Sequence, residues 1–200
     1  MSAMAETDIR VRGLSEGKGE AKPTIKDMKG LVDPDWCPGC GDFGVLNALK
    51  QALVELGLYP HQVMTISGIG CSSNLPGYIN TYGMHTLHGR ALAVAAGAQL
   101  ANHEMKIIAT GGDGDGYGIG GNHFVHCMRR NVDLTYIVMD NQIYGLTTGQ
   151  ISPTSMKGMK TKSTLSAAWR TRSIRSPSRL RQGRPMWPGD TQAKSNTSWS

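Results

Sequence analysis

The stretch KIIATGGDGDGYGIGGNHFVHCMRRNVDLTYIVMDNQIYG, from Lys106 to Gly145, narrows the possible folds more than any other part of the chain. Lys106 to Thr110 is short, apolar and β-branched, like a buried parallel strand. Seven glycines between Gly111 and Gly121 let the backbone turn sharply and approach a ligand closely. Asn122 is placed to cap a helix reaching Arg130. Leu134 to Met139 reads as a second buried strand, followed by Asp140 and Asn141. Strand, loop, helix and strand form a βαβ unit. Its two loops fall at the carboxyl ends of parallel strands, where open α/β sheets bind ligands. The fold class expected is α/β, an open, mostly parallel sheet with helices on both faces.

The glycine loop admits several occupants. Gly116, Gly118 and Gly121 fit G-x-G-x-x-G, and Asp140 ends the next strand, as in a dinucleotide site. Asp113 and Asp115 count against a bare pyrophosphate. At about 4 Å and an effective dielectric near 20, each carboxylate–phosphate contact costs roughly 4 kcal/mol. A divalent cation between them removes that cost. Mg²⁺ takes octahedral oxygen ligands, often few protein groups plus phosphates. Asp113, Asn141 and a main-chain carbonyl near Ile143 can supply three. A calcium loop fails on spacing, because an EF-hand beginning at Asp113 needs a glutamate where Phe124 stands. The plain alternative is a glycine-rich turn with surface aspartates.

Upstream, Trp36-Cys37-Pro38-Gly39-Cys40-Gly41-Asp42-Phe43 opens the ordered part. Asp42 is placed as a helix cap, and Phe43, Leu46, Leu49, Leu53 and Leu56 recur at helical spacing toward a core. Gly57 and Pro60 stop that helix. A thioredoxin-type site lacks the apolar strand before C-x-x-C, and a zinc ribbon lacks a second C-x-x-C. Val63 to Ser67 reads as a strand running into Gly68-Ile69-Gly70-Cys71-Ser72-Ser73. Cys71 thus sits on another strand-end loop, facing the crevice of Asp113. Cys37, Cys40 and Cys71 suit an iron–sulfur cluster, which takes four ligands; alternatively, Cys71 merely packs. Cys127, mid-helix, reads as a small core residue. Leu87-His88-Gly89-Arg90-Ala91 precedes an alanine-rich helix, Arg90 to Asn102, whose first turn can receive a diphosphate or a carboxylate. A lone His88 is as often structural as functional.

Gly112-Asp113-Gly114 followed by Asn141 resembles the thiamine diphosphate motif. Within that group the chain is similar to the β subunits of 2-oxoacid:ferredoxin oxidoreductases, over about Gly30 to Ser163. The resemblance implies the thiamine diphosphate-binding fold with its C-terminal part missing. It implies Mg²⁺ on Asp113, Asn141 and the Ile143 carbonyl, and a 4Fe–4S cluster on Cys37, Cys40 and Cys71. The fourth ligand lies beyond the matching part. His88 falls near thiamine, and Ile69, Gly70, Cys71, Ser72, Gly112, Gly114 and Gly145 line the cofactor. The activity implied is oxidative decarboxylation of a 2-oxoacid to acyl-CoA and CO₂, with electrons to ferredoxin. The glutamate that activates thiamine comes from the partner α subunit in this family. Here Glu55 belongs to a helix and Glu104 to a helix end, so the chain is expected to be inert alone. Thr147 to Ser163 continues the family pattern as a long polar loop over the cofactor or toward a partner.

Other readings stay open. They are a cluster-free thiamine decarboxylase or synthase, an NAD-binding module, and a non-catalytic remnant. Composition bounds them. The net charge of +6 does not signal nucleic acid, because residues 1–164 hold 14 Lys+Arg and 14 Asp+Glu. The excess lies in residues 165–200, with seven Lys+Arg against Asp190 alone. Without an amphipathic period, that tail is expected to be disordered, a basic and aberrant end to a truncated chain. Residues 1–29 are expected to be a flexible lead-in, and residues 30–164 the cofactor-binding domain. No apolar run of about 18 residues predicts a membrane span. The lack of an apolar signal core, and cysteines too few for a disulfide scaffold, point to the cytoplasm.

Overall fold

The computed structural model describes residues 22–161 and residue 164. The expectations for the tail, and for most of the lead-in, lie outside those residues. The central sheet contains β1 (Val63–Ser67), β2 (Tyr82–His85), β3 (Lys106–Gly112) and β4 (Thr135–Met139). Their order is β2-β1-β3-β4, and every neighbouring pair is parallel. The inner strands β1 and β3 are almost wholly buried, which is why their sequences are apolar runs. By contrast, β2 is exposed at every position and carries no such run. It exists by pairing with β1, from Met64↔Tyr82 to Ser67↔His85.

Side chains alternate across the sheet. On β3, Ile108 joins one apolar cluster while Ile107 and Ala109 join another; on β4, Met139 and Val138 divide likewise. The first cluster packs under α1 (Asp42–Glu55) through Leu46, Leu49 and Leu53. A short α2 (Leu75–Tyr78) adds Leu75 and Tyr78 to it. The second cluster packs under α3 (Ala91–Ala101) and α4 (Gly121–Arg130) through Leu92, Ala95, Phe124 and Cys127. Helices therefore cover both faces. Among the described residues no helix is long and apolar enough to cross a membrane.

Several local expectations need correction. Leu56 does not face the core; it follows the last turn of α1 and is 72% exposed. Asp42 lies inside that helix, with Gly41 at the cap position and no side-chain cap bond. Its charge in the first turn still suits the helix dipole. Asn122 does not cap α4, because the chain is already helical before it: Phe124 N–H donates to Gly120 O at 2.9 Å. Met28 is fully buried in the first cluster, and Gly30 N–H donates to Tyr78 O at 3.2 Å. Packing thus begins before residue 30.

Chain direction sets the crevice. From β1 the chain moves to one side for β2, then returns past β1 to β3 on the other side. The loops after β1 and β3 diverge, leaving a crevice at a topological switch point, the usual ligand site of open α/β sheets.

Candidate cofactor site

Strand β3 ends at Gly112, so Asp113 stands at the switch point. The glycines beyond it do not form an open loop. Gly114 to Ile119 make a single π-helical turn leading into α4. Its glycines serve close packing. A Cβ on Gly114 would lie 2.4 Å from the Tyr144 ring, and one on Gly116 would lie 1.9 Å from the Tyr136 hydroxyl.

Asp113 is 1% exposed, and its Oδ2 accepts a hydrogen bond from the Thr154 hydroxyl. The same hydroxyl lies 2.8 Å from Asp140 Oδ1. Asp140 Oδ1 also accepts from Gln142 N–H at 3.0 Å, and Asn141 Oδ1 accepts from Ile143 N–H at 3.1 Å. The Tyr144 hydroxyl donates to Gly114 O at 3.0 Å. The loop after β4 is thereby fastened to the turn after β3. The stretch beyond Asn141, expected as a long polar loop, holds a small hairpin, β5 (Ile143–Tyr144) with β6 (Gln150–Ile151), and then a buried segment around Thr154.

Asp113, Asn141 and the Ile143 carbonyl form an all-oxygen set suited to Mg²⁺. Among the described residues no group of three or more His, Cys, Asp or Glu could hold a metal. The oxygen set contains only one such side chain, and an amide oxygen with two lone pairs has one left after bonding Ile143. Burial, then the charges of Asp140 and Asp113, push the Tyr117 hydroxyl up to about 12. Burial and then Asp115 raise Tyr136, and burial, then Asp113 and Asp115, raise Tyr144. All three tyrosines thus sense, after burial, the carboxylates of the β3 turn, and Tyr117 also that of the loop after β4.

The cysteine loop comes alongside. A Cβ on Gly145 would lie 3.2 Å from Asn141 Nδ2 and 4.0 Å from Cys71 Sγ, and one on Gly112 would lie 3.4 Å from Ser72 Oγ. Gly70, at φ +131°, makes the bend that admits Cys71. Trp36 Nε1–H donates to Cys71 O at 2.7 Å, holding the C-x-x-C segment against this loop. Burial raises the Cys71 thiol, with further contributions from Asp42, Cys37 and Cys40. Cys71 senses Cys37 and Cys40, yet among the described residues the three do not converge as a metal centre. Cys127 is buried in the other cluster, where it packs. As arranged, the described cysteines do not complete a four-ligand cluster site.

Asp115 reads in the sequence only as a charge opposing phosphate. In the fold it is 3% exposed and acts as a tie. Its Oδ1 accepts from Ile69 N–H at 3.0 Å and Gly89 N–H at 2.8 Å. His88 Nδ1 lies 2.7 Å from the same oxygen, though not aligned as a straight hydrogen bond. One carboxylate therefore joins the loops after β1, β2 and β3. The available signal is the glycines around it: a Cβ on Gly68 would lie 1.9 Å from Asp115 Oδ2. Thr154 escapes sequence reasoning because a threonine in a polar run carries no distinguishing pattern.

The comparisons with known proteins point to one family. Residues 61–176 match the family model described as thiamine pyrophosphate enzyme, C-terminal TPP binding domain. Over 129 residues the chain is 56% identical to 2-oxoacid:ferredoxin oxidoreductase 1, subunit beta, of Aeropyrum pernix, covering 64% of this chain and 41% of that protein. It is 59% identical over 131 residues to the 2-oxoacid:ferredoxin oxidoreductase subunit beta of Saccharolobus solfataricus, covering 64% and 43%. The chain thus spans less than half the length of these relatives. A solved 2-oxoglutarate:ferredoxin oxidoreductase from Magnetococcus marinus, with 2-oxoglutarate, coenzyme A and succinyl-CoA bound, is similar with a TM-score of 0.73 and 50% identity. That match covers 74% of this chain and 51% of the solved one.

Proposed function

We propose, for a chain that belongs to the thiamine pyrophosphate enzymes by its C-terminal TPP-binding domain, that it is the cofactor-binding part of a 2-oxoacid:ferredoxin oxidoreductase β subunit. The observation that carries this is the buried Asp113 at the end of β3, in the switch-point crevice, fastened to the loop that bears Asn141. Asp113, Asn141 and the Ile143 carbonyl hold Mg²⁺, which neutralises the diphosphate. Gly112, Gly114 and Gly145 border it with backbone, the space beside Gly114 being taken by the Tyr144 ring. Ile69, Gly70, Cys71, Ser72 and His88 line the thiamine side. Asp115 holds the Ile69 and Gly89 amides in place.

Thiamine diphosphate, when bound, supplies the electron sink for loss of CO₂ from a 2-oxoacid. The chain's own part is to hold the diphosphate, orient the ring and keep water from one side of the crevice. Glu55 and Glu104 are both exposed and do not serve as the activating acid. An α subunit supplies that acid, and coenzyme A and ferredoxin complete the reaction. A 4Fe–4S cluster on Cys37, Cys40 and Cys71 would need these sulfurs to draw together and a fourth ligand from outside the described residues. Reduced thiols go with a cytoplasmic location.

Calorimetric titration of thiamine diphosphate, with and without Mg²⁺, tests the assignment. Wild type is expected to bind only with Mg²⁺, and Asp113→Ala to lose binding under both conditions. Equal affinity in EDTA would sink it. NAD binding that ignores Mg²⁺ would favour a dinucleotide module.

A further inference from the structure

We infer that Thr154 is a positioning residue for the cation-binding carboxylate, and that residues 152–155 form a clasp whose seating is coupled to the divalent ion. The inference rests on the thiamine diphosphate assignment above. The segment Ser152-Pro153-Thr154-Ser155 is polar, yet Ser152, Thr154 and Ser155 are only 5%, 3% and 4% exposed. Burying hydroxyls is costly unless each finds a partner. These do. Ser152 N–H donates to Ser155 Oγ at 2.9 Å, and Ser155 N–H donates to Ser152 O at 3.2 Å. The Ser155 hydroxyl donates to Gln142 O at 2.6 Å, while the Thr154 hydroxyl reaches Asp113 and Asp140. Pro153 lies against the π-helical turn, 3.4 Å from where a Gly118 Cβ would stand. The segment therefore grips the turn after β3 and the loop after β4 together.

The Thr154 hydroxyl faces two acidic side chains. A threonine hydroxyl carries one proton and can donate to one acceptor. Here it stands between two carboxylates, Asp113 and Asp140. Whichever carboxylate lacks the proton meets an oxygen lone pair, which matters most for Asp113, 1% exposed, because Asp140 is open to solvent. A divalent ion on Asp113 would offset its charge, while the hydroxyl, donating to Oδ2, keeps that carboxylate from turning. Ion and clasp then favour each other, and the coupling must work in both directions. A hydroxyl that fixes a ligating carboxylate commonly changes metal affinity by about 10-fold to 100-fold.

The test uses the full chain. Thiamine diphosphate is titrated at a series of Mg²⁺ concentrations into wild type, Thr154→Val and Thr154→Ser. Amide exchange of residues 150–156 is followed in parallel. Thr154→Val is expected to raise the Mg²⁺ concentration for half-saturation about tenfold, and Thr154→Ser to restore it. In wild type, Mg²⁺ with thiamine diphosphate should slow exchange across 150–156. An unchanged Mg²⁺ requirement in Thr154→Val, or failure of Thr154→Ser to restore it, overturns the proposal. If Thr154→Val does not fold, wild-type exchange decides: no slowing on loading overturns it. Wild type that binds no thiamine diphosphate at any Mg²⁺ concentration brings down the cofactor assignment, and this proposal with it. Wild type that binds, beside an unchanged Thr154→Val, brings down this proposal alone.

Discussion

Tyr117 shows how single groups report the charge of the crevice. Its ring is buried against Phe124, with centroids 5.1 Å apart, and its hydroxyl is pushed up to about 12 by burial and by Asp140 and Asp113. The unfolded chain ionises a tyrosine near pH 10. A raised pKa means the folded state keeps its proton longer. This contribution to stability is complete below about pH 10 and is lost as pH climbs toward 12. We expect on the order of 2 kcal/mol to disappear over that window. Tyr117→Phe should flatten the loss. Denaturation midpoints between about pH 9 and 12 would reveal it, and parallel curves for the two proteins would refute it. Other residues are less readable. Glycine content is plain in the sequence, but the use of each glycine is not. Gly68 gives Asp115 its space and Gly114 receives the Tyr144 ring, pairings far apart in the chain.

Among elements, α1 offers the cleanest contrast. Leu46, Leu49, Leu53 and Leu56 share one helical period, yet only the first three are buried. The period continues, whereas the covering layer ends and Gly57, at φ +70°, turns the chain away. Leu53→Ala should cost about 2–5 kcal/mol through lost burial and a residual cavity. Leu56→Ala should stay within about 0.5 kcal/mol of wild type. Urea unfolding distinguishes them, and comparable losses would show that Leu56 is covered in solution. The strands divide in the same way. Buried β1 and β3 and half-buried β4 announce themselves by apolar runs, while β2 is stabilised by its neighbour and leaves no pattern. The π-helical turn is likewise silent, because wide turns are set by what packs inside them.

At the scale of the whole molecule, the four parallel strands bring their carboxyl ends to one side, where the loops that follow carry exposed Ile69, Leu87, Ile119 and Leu146. If an α subunit supplies the activating acid, this chain alone should release no CO₂ from a 2-oxoacid in the presence of coenzyme A and ferredoxin. Adding the matching α subunit should start turnover. Equal rates with and without it would place the acid within this chain.

The local pattern of residues was enough to specify the βαβ unit, the helices on both faces and the placing of Asp113 at a strand end. Strand periodicity and the chemistry of an acid beside a diphosphate act over short stretches and narrow choices. Only the folded chain decided that Asp115 would tie three loops and that Thr154 would stand between two carboxylates. The Asp115 contacts join residues 46 and 26 positions apart, and the contact of Thr154 with Asp113 spans 41. No local preference encodes them; they arise where separate strand ends meet.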